Sequence, residues 1–296
     1  MVGIIGQAIT PFVALGLVPN FTIGWRLLFA IGAVIGAVGV VFGLRLPESP
    51  RWLIDQGRLE EAEVLIGSME SRFSPHERTA PEAQEEPEPL AADEPQLSAT
   101  RELLRGRHTR TVLAMVGLWF LWYIGNYGFL GDAPTLFSAN GFGIGDSILY
   151  LAVGAIGYPV GAAIMLVTSD RIERKYLIFA STVVWLVGMV LIASLANSTV
   201  VTIGSFLAAV ALGSFLQVAY TFTAERFPTR LRARGFALAD GVGHFGGAVG
   251  ALLLPTLVTA TSFFTGFLVI GITGLLAGVI ALFGPKASGR SLEDVR

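Results

Sequence analysis

Long apolar runs and short charged connections alternate along most of this chain. Eight runs lie near residues 2–19, 24–44, 111–131, 147–168, 176–195, 199–222, 235–258 and 262–283. Each has the roughly 18–25 residues that an α-helix needs to cross a ~30 Å hydrocarbon layer. The pattern predicts an all-α integral membrane protein of about eight transmembrane helices. A signal peptide is one short apolar run behind a basic start, whereas the first run here opens at Met1 with no basic residue before it.

Small residues recur inside the runs at four-residue spacing: Gly32 with Gly36, Gly157 with Gly161, Gly243 with Gly247, Gly246 with Gly250, and Gly274 with Gly278. Between helices in lipid, where apolar burial gains little, such positions let backbones approach closely. Pro11, Pro134, Pro159 and Pro255 each remove a helix hydrogen bond and predict bends.

Composition agrees with the pattern: 53% of the residues are hydrophobic and only 14% charged, against roughly 25% charged in soluble domains. The chain has no cysteine, which excludes disulfides, thiolate metal sites and cysteine catalysis. A net charge of -2 says little, but its distribution says more. Nineteen of the twenty Lys and Arg residues fall in the gaps 45–110, 169–175 and 223–234 or in the tail after 284, and the exception is Arg26. If every run crosses, all nineteen lie on one face. By the positive-inside rule that face is cytoplasmic, with both termini on it, as in a multi-pass protein of the plasma membrane.

The gap 45–110 is of different material. Leu53, Leu59, Val64, Leu65 and Ile66 stand among charges in 47–73 and suggest one or two amphipathic surface helices. Residues 74–98 are acidic, proline-rich and poor in large apolar groups, the composition of a disordered tether. Helical character resumes over 99–110.

At the end of the second run the chain reads PESPRWL (47–53), followed in order by SDRIERK (169–175), TAERFPTRLRARG (223–235) and GRSLEDV (289–295). These words resemble the marks that sugar-porter-like members of the major facilitator superfamily, and related metabolite:proton symporters, carry after helix six, between eight and nine, between ten and eleven, and after twelve. The resemblance implies a partial major-facilitator fold, family helices 5–12. On that mapping 1–44 supplies the last two helices of an N-terminal bundle, 45–110 the cytoplasmic loop, 111–284 the six-helix C-terminal bundle and 285–296 a cytoplasmic tail. The first four helices of the family are then missing from this sequence.

The same words gather carboxylates and guanidinium groups on the cytoplasmic face: Glu48 and Arg51 in one gap, Asp170, Arg171 and Arg174 in the next, Glu225 and Arg234 in the third. Such pairs are strong and can be made and broken as helices tilt, the behaviour of a latch. The plainer alternative is a set of interfacial charges that fixes topology.

Apart from Arg26 at the start of the second run, the ionisable side chains placed within spans are Asp132, Asp240 and His244. A charge at bilayer depth is costly unless it is paired or faces a cavity, so each is a functional candidate. Asp240 and His244 are four apart, on one helix face, and a histidine there can exchange a proton near neutral pH. The alternative is a static packing pair. The resemblance implies that the third run lines the solute site, through Asn126 and Tyr127. Gln217 and Tyr220, one turn apart, add an amide and a phenol suited to a small polar solute. Trp122, with Trp119 and Trp185, offers stacking surface, although tryptophans in a span more often anchor at the lipid interface.

No Ser-His-Asp order, metal-ligand spacing or phosphate loop occurs; His76, His108 and His244 are scattered. The glycines of GVGHFGGAVG sit within a span, where a dinucleotide does not bind. An enzyme is not expected, nor a cofactor, nor a nucleic-acid partner. The expected partners are the bilayer, a small-molecule solute and the missing N-terminal four-helix segment. The expected function is alternating-access transport of a small polar metabolite, a sugar or an organic acid, with proton coupling left open. The rival reading is a truncated or split transporter fragment that does not transport alone.

Overall fold

The apolar runs all fold as helices. The computed structural model describes residues 2–44, 46–55, 57–71, 96–105, 108–195 and 197–284, and the regular structure among them is wholly helical: α1 (Val2–Leu17), α2 (Gly24–Gly43), α3 (Pro50–Asp55), α4 (Leu59–Glu70), α5 (Gln96–Leu104), α6 (Thr109–Ala139), α7 (Ile144–Gly154), α8 (Gly157–Thr168), α9 (Arg174–Ser194), α10 (Ser198–Ala224), α11 (Thr229–Gly243), α12 (Phe245–Ala260) and α13 (Phe263–Leu282). Among the described residues, seven segments are long and apolar enough to cross a membrane: α2, α6, α7 with α8, α9, α10, Leu231–Ala260 and α13. The first run forms the 16-residue α1, which at 1.5 Å per residue is about 24 Å long.

Two expected spans are interrupted. Pro159, the third residue of α8, has no N–H and its ring crowds the carbonyl four residues back, that of Ala155. That carbonyl accepts instead from the Tyr158 N–H at 3.0 Å, and α7 ends there. The second interruption is at His244, inside a glycine-rich stretch, where the Gly247 N–H donates to the His244 carbonyl at 2.9 Å in a tighter turn. By contrast, α6 runs eight residues past its expected edge, straight through Pro134. Ala133, Leu136 and Phe137 are buried, and Phe137 stacks on Phe267 of α13 at 6.0 Å, so packing outweighs one lost hydrogen bond. Two N-caps are of the ordinary kind: Asn197 accepts from the Val200 N–H at 3.0 Å and Ser262 from the Thr265 N–H at 3.1 Å.

The chain divides into two compact units, Met1–Trp25 with Glu94–Arg296, and Arg26–Asp93. In the larger unit α9 packs on α10 and α13, α6 on α11, α12 and α13, α8 on α10, and α1 on α7 and α8. Large side chains fill its core, with Trp119, Trp122, Trp185, Phe215 and Phe267 fully buried. Backbones come close where glycines line the seams. A Cβ at Gly246 or Gly250 would strike the backbone of Phe120 or Ile124 on α6, and one at Gly157 or Gly161 the backbone of Phe206 or Val210 on α10. In the smaller unit α3 and α4 pack on each other, burying Leu53 and Ala62. Arg58 grips Glu61 through two bonds of 2.8 and 2.6 Å. Gly32 and Gly36 on α2 face open space among the described residues.

Most of the stretch 74–98 lies outside the described residues, as does the tail 285–296. Helix α5 begins at Gln96, three residues before the expected 99.

Candidate functional site

Helix α6 sets Trp119, Tyr123 and Tyr127 on one face at four-residue spacing. Helix α11 and the start of α12 lie against that face because Gly243 and Gly247 leave room for the Trp119 and Tyr127 side chains. The Tyr123 hydroxyl donates to Asp240 Oδ1 at 2.7 Å. The other carboxylate oxygen is 3.6 Å from His244 Nδ1. That nitrogen lies 2.8 Å from the Asp240 backbone carbonyl; a carbonyl only accepts, so Nδ1 carries the proton in this contact. The Tyr123 and His244 rings are 4.1 Å apart.

Helix α10 closes the group. Tyr220 stacks on Trp119 with ring centroids 4.9 Å apart, and the Trp119 N–H donates to Thr223 Oγ1 at 3.0 Å. Trp119 is fully buried, while Tyr127 is 40% exposed and Tyr220 39% exposed. Three helices therefore build an open, aromatic, hydrogen-bonding face with one carboxylate at its centre. Tyr123, which links α6 to α11, was not singled out from the sequence; its place midway between Trp119 and Tyr127 on one helix face was the available signal.

The remaining candidates spread over several places. Trp122 stacks on Phe215 with centroids 3.6 Å apart, and neither its Nε1 nor the Oδ1 of buried Asn126, one turn on, has a hydrogen-bond partner among the described residues. Both are buried polar atoms left without a protein partner, which carries a desolvation cost. Trp185 is a core residue, its N–H donating to the Ile270 carbonyl at 3.1 Å, so these tryptophans are interior rather than interfacial. Asp132 is half-buried, with Oδ2 lacking a hydrogen-bond partner among the described residues. Gln217 joins the other end of the bundle, lining a cavity of about 260 Å³ with Asp170, Arg174 and Thr221.

Around that cavity the termini of three helices are tied together. Arg174, the first residue of α9, meets Glu225, just past α10, at 3.1 Å. Lys175 donates to the carbonyls of Leu282 at 3.5 Å and Gly284 at 3.1 Å, at the end of α13. Arg226 lies 3.9 Å over the Phe222 ring. Burial pushes the Glu225 carboxyl above its ordinary value, with Arg174 opposing the shift. Burial also draws the Arg226 guanidinium down to about 10, with Glu225 opposing, so it stays charged at neutral pH. Asp170 and Arg171 are exposed beside this cluster, and Arg234 is half-buried on α11. Glu48, in the smaller unit, lines a cavity of about 540 Å³ with Arg58 and Glu61. The side chain of Arg51 lies outside the described residues.

A family model described as sugar (and other) transporter matches residues 1–296. YyaJ of Bacillus subtilis (strain 168), named for metabolite transport, is 29% identical over 300 residues, which cover 99% of this chain and 64% of YyaJ. The niacin transporter NiaP of Acinetobacter baylyi is 26% identical over 298 residues, 98% of this chain and 65% of NiaP. Mouse organic cation/carnitine transporter 2 is 29% identical over 295 residues, 96% of this chain and 50% of that protein. The chain thus spans between half and just under two-thirds of these relatives. Among solved structures, the major facilitator superfamily proton:xylose symporter XylE superposes with a TM-score of 0.67 at 20% identity, covering 99% of this chain and 64% of XylE. The fold is therefore part of a major-facilitator fold. These relatives are named as transporters, not enzymes. Matched along its whole length, this multi-pass membrane chain belongs to the sugar (and other) transporter family.

Proposed function

We propose that this chain moves a small organic solute across the plasma membrane by alternating access, holding it on the face built by α6, α10 and α11. One observation carries the reading: Tyr123, Asp240 and His244 converge within membrane-spanning segments on an open face, with a 2.7 Å hydrogen bond between two of them. A buried-depth carboxylate kept beside exposed tyrosines suits reversible solute contact better than static packing. The names of these proteins range over xylose, niacin and organic cation/carnitine, and the sugar or organic acid expected from the sequence lies within that range. The charged cluster at Arg174, Glu225 and Asp170 serves as a latch on the cytoplasmic side, where both termini also lie. The distribution of Lys and Arg supports that orientation.

A second reading is favoured by coverage: this chain spans 64% of YyaJ, and on that reading transport requires a complementing four-helix segment. Uptake of labelled xylose, nicotinate and carnitine into liposomes holding only this polypeptide separates the two. Saturable flux of any one supports autonomous transport. Absence of flux across the panel, with flux restored by co-expressing the four-helix part of a relative, establishes the second reading.

A further inference from the structure

We infer that the chain has a second ligand site, at the seam between α1 and the helices α6, α7, α8 and α10, for a neutral lipophilic molecule with a single hydrogen-bond acceptor. A cavity of about 360 Å³ opens there within the larger unit. Pro11, Ala14 and Val18 line it from α1, and Phe129, Ile148 and Leu151 from α6 and α7. An apolar cavity of ~150 Å³ already accepts benzene, so this one has room for a molecule of two rings. None of Tyr123, Tyr127, Tyr220, Asp240 and His244 belongs to its lining, which sets it apart from the face of α6, α10 and α11.

The polar groups of the lining decide the ligand chemistry. No Lys, Arg, His, Asp or Glu lines the cavity, so a charged molecule would lose its hydration without meeting a countercharge. Three hydroxyls do line it, those of Thr10, Tyr158 and Ser205. Thr10 donates to the Gly6 carbonyl at 2.8 Å and Ser205 to the Val201 carbonyl at 2.9 Å, so both donors are already engaged within their own helices. Tyr158 is different. It is only 6% exposed, yet its hydroxyl makes no hydrogen bond to any described residue, where a buried donor ordinarily has a partner. Its backbone is held in place: the Tyr158 N–H donates to the Ala155 carbonyl at 3.0 Å in the break between α7 and α8, and Gly213 of α10 lies close against the Tyr158 backbone. One fixed, unengaged donor in an otherwise apolar cavity calls for one acceptor on an otherwise apolar ligand. A carbonyl or ester oxygen between two rings meets that need, whereas a lipid acyl chain fills the volume and leaves the hydroxyl unbonded. A molecule seated there touches α1 and the α6–α10 wall together, so it fastens α1 to the bundle and acts as a modulator, not as cargo.

Photolabelling of the full chain in lipid nanodiscs with tritiated benzophenone, a neutral two-ring ketone, tests the inference, the adducts being mapped by mass spectrometry. Saturable labelling confined to 10–18, 129–158 and 205–209 is expected. Phenyl benzoate should protect against it, and diphenylmethane, which keeps two rings but has no acceptor, about fivefold less well. Tyr158→Phe, which removes the hydroxyl alone, lowers the benzophenone affinity about fivefold and abolishes the difference between the two competitors. Ala14→Phe narrows the cavity from α1 and lowers the affinity about tenfold. Labelling that does not saturate and spreads over all the spans means partition into lipid only and overturns the inference. Equal protection by the two competitors, or wild-type affinity in Tyr158→Phe, overturns the acceptor requirement and with it the ligand class. If Tyr158→Phe does not fold, wild-type labelling in Ala14→Phe overturns the site instead. The readout is binding, so the result stands whether or not the chain transports a solute alone.

Discussion

The surroundings of the Glu225 carboxylate work against its charge. It is largely shielded from water, holds Arg174 at 3.1 Å, and has a second oxygen without a hydrogen-bond partner among the described residues. Removing Arg174 leaves a desolvated carboxylate, so Arg174→Ala is expected to cost about 1–3 kcal/mol, read as a fall in Tm in detergent. The pH dependence has a definite sign. Burial raises the folded-state value of Glu225 above the unfolded one, so its contribution favours the fold at acid pH and is lost as pH rises through the folded value. Arg174 opposes that shift, and its loss raises the folded value further. The Tm deficit of Arg174→Ala is therefore larger at pH 8 than at pH 5; a deficit independent of pH would show that Glu225 is not the group responsible. At the other site, His244 faces Asp240 on its own element and Tyr123 and Tyr127 from α6. If this dyad couples protons to solute movement, Asp240→Asn and His244→Ala each alter the pH dependence of transport in a transport-competent form. Unchanged profiles in both variants remove the proton role.

Element by element, the seams between helices are decided by glycine rather than by hydrophobicity, since lipid is as apolar as the helices it would separate. Gly250 abuts the Ile124 backbone of α6, whereas nothing lies within 4 Å of a Cβ added at Gly32. Gly250→Val is thus expected to force α12 off α6, destabilising the bundle by about 1–3 kcal/mol. Gly32→Val should stay within roughly 0.5 kcal/mol of wild type. Thermal melts of the two variants in one detergent make the comparison, and equal Tm losses would contradict the packing at the α6–α12 seam. The four-residue glycine spacing does not distinguish these positions, because spacing records which residues share a face and not whether another helix covers it.

For the whole molecule, the topology is the quantity open to direct measurement. The chain has no native cysteine, so single cysteines report without background. Ile172→Cys, in the α8–α9 connection, should react with an impermeant maleimide from the cytoplasmic side only, and Thr261→Cys, between α12 and α13, from the opposite side only. Reaction of both from one side would break the odd–even order of crossings on which the latch and the orientation depend. The existence and approximate limits of the helices were legible in the sequence because a ~30 Å apolar layer leaves a backbone few choices: a long run without charges must satisfy its own hydrogen bonds as a helix. Family membership was legible for a related reason, since PESPRWL, SDRIERK and the words after them lie at connections where charge and turn chemistry are local. What only the tertiary structure decided is which side chains of different helices meet. Tyr123 reaches Asp240 across 117 residues of sequence, Gln217 turns to the cavity beside Asp170 instead of joining Asn126, and Trp185 is spent in the core on the Ile270 carbonyl. Periodicity specifies the face a residue occupies on its own helix. The rotation and approach of one helix against another come from interlocking side chains and glycine seams, and these exist only once the helices are packed.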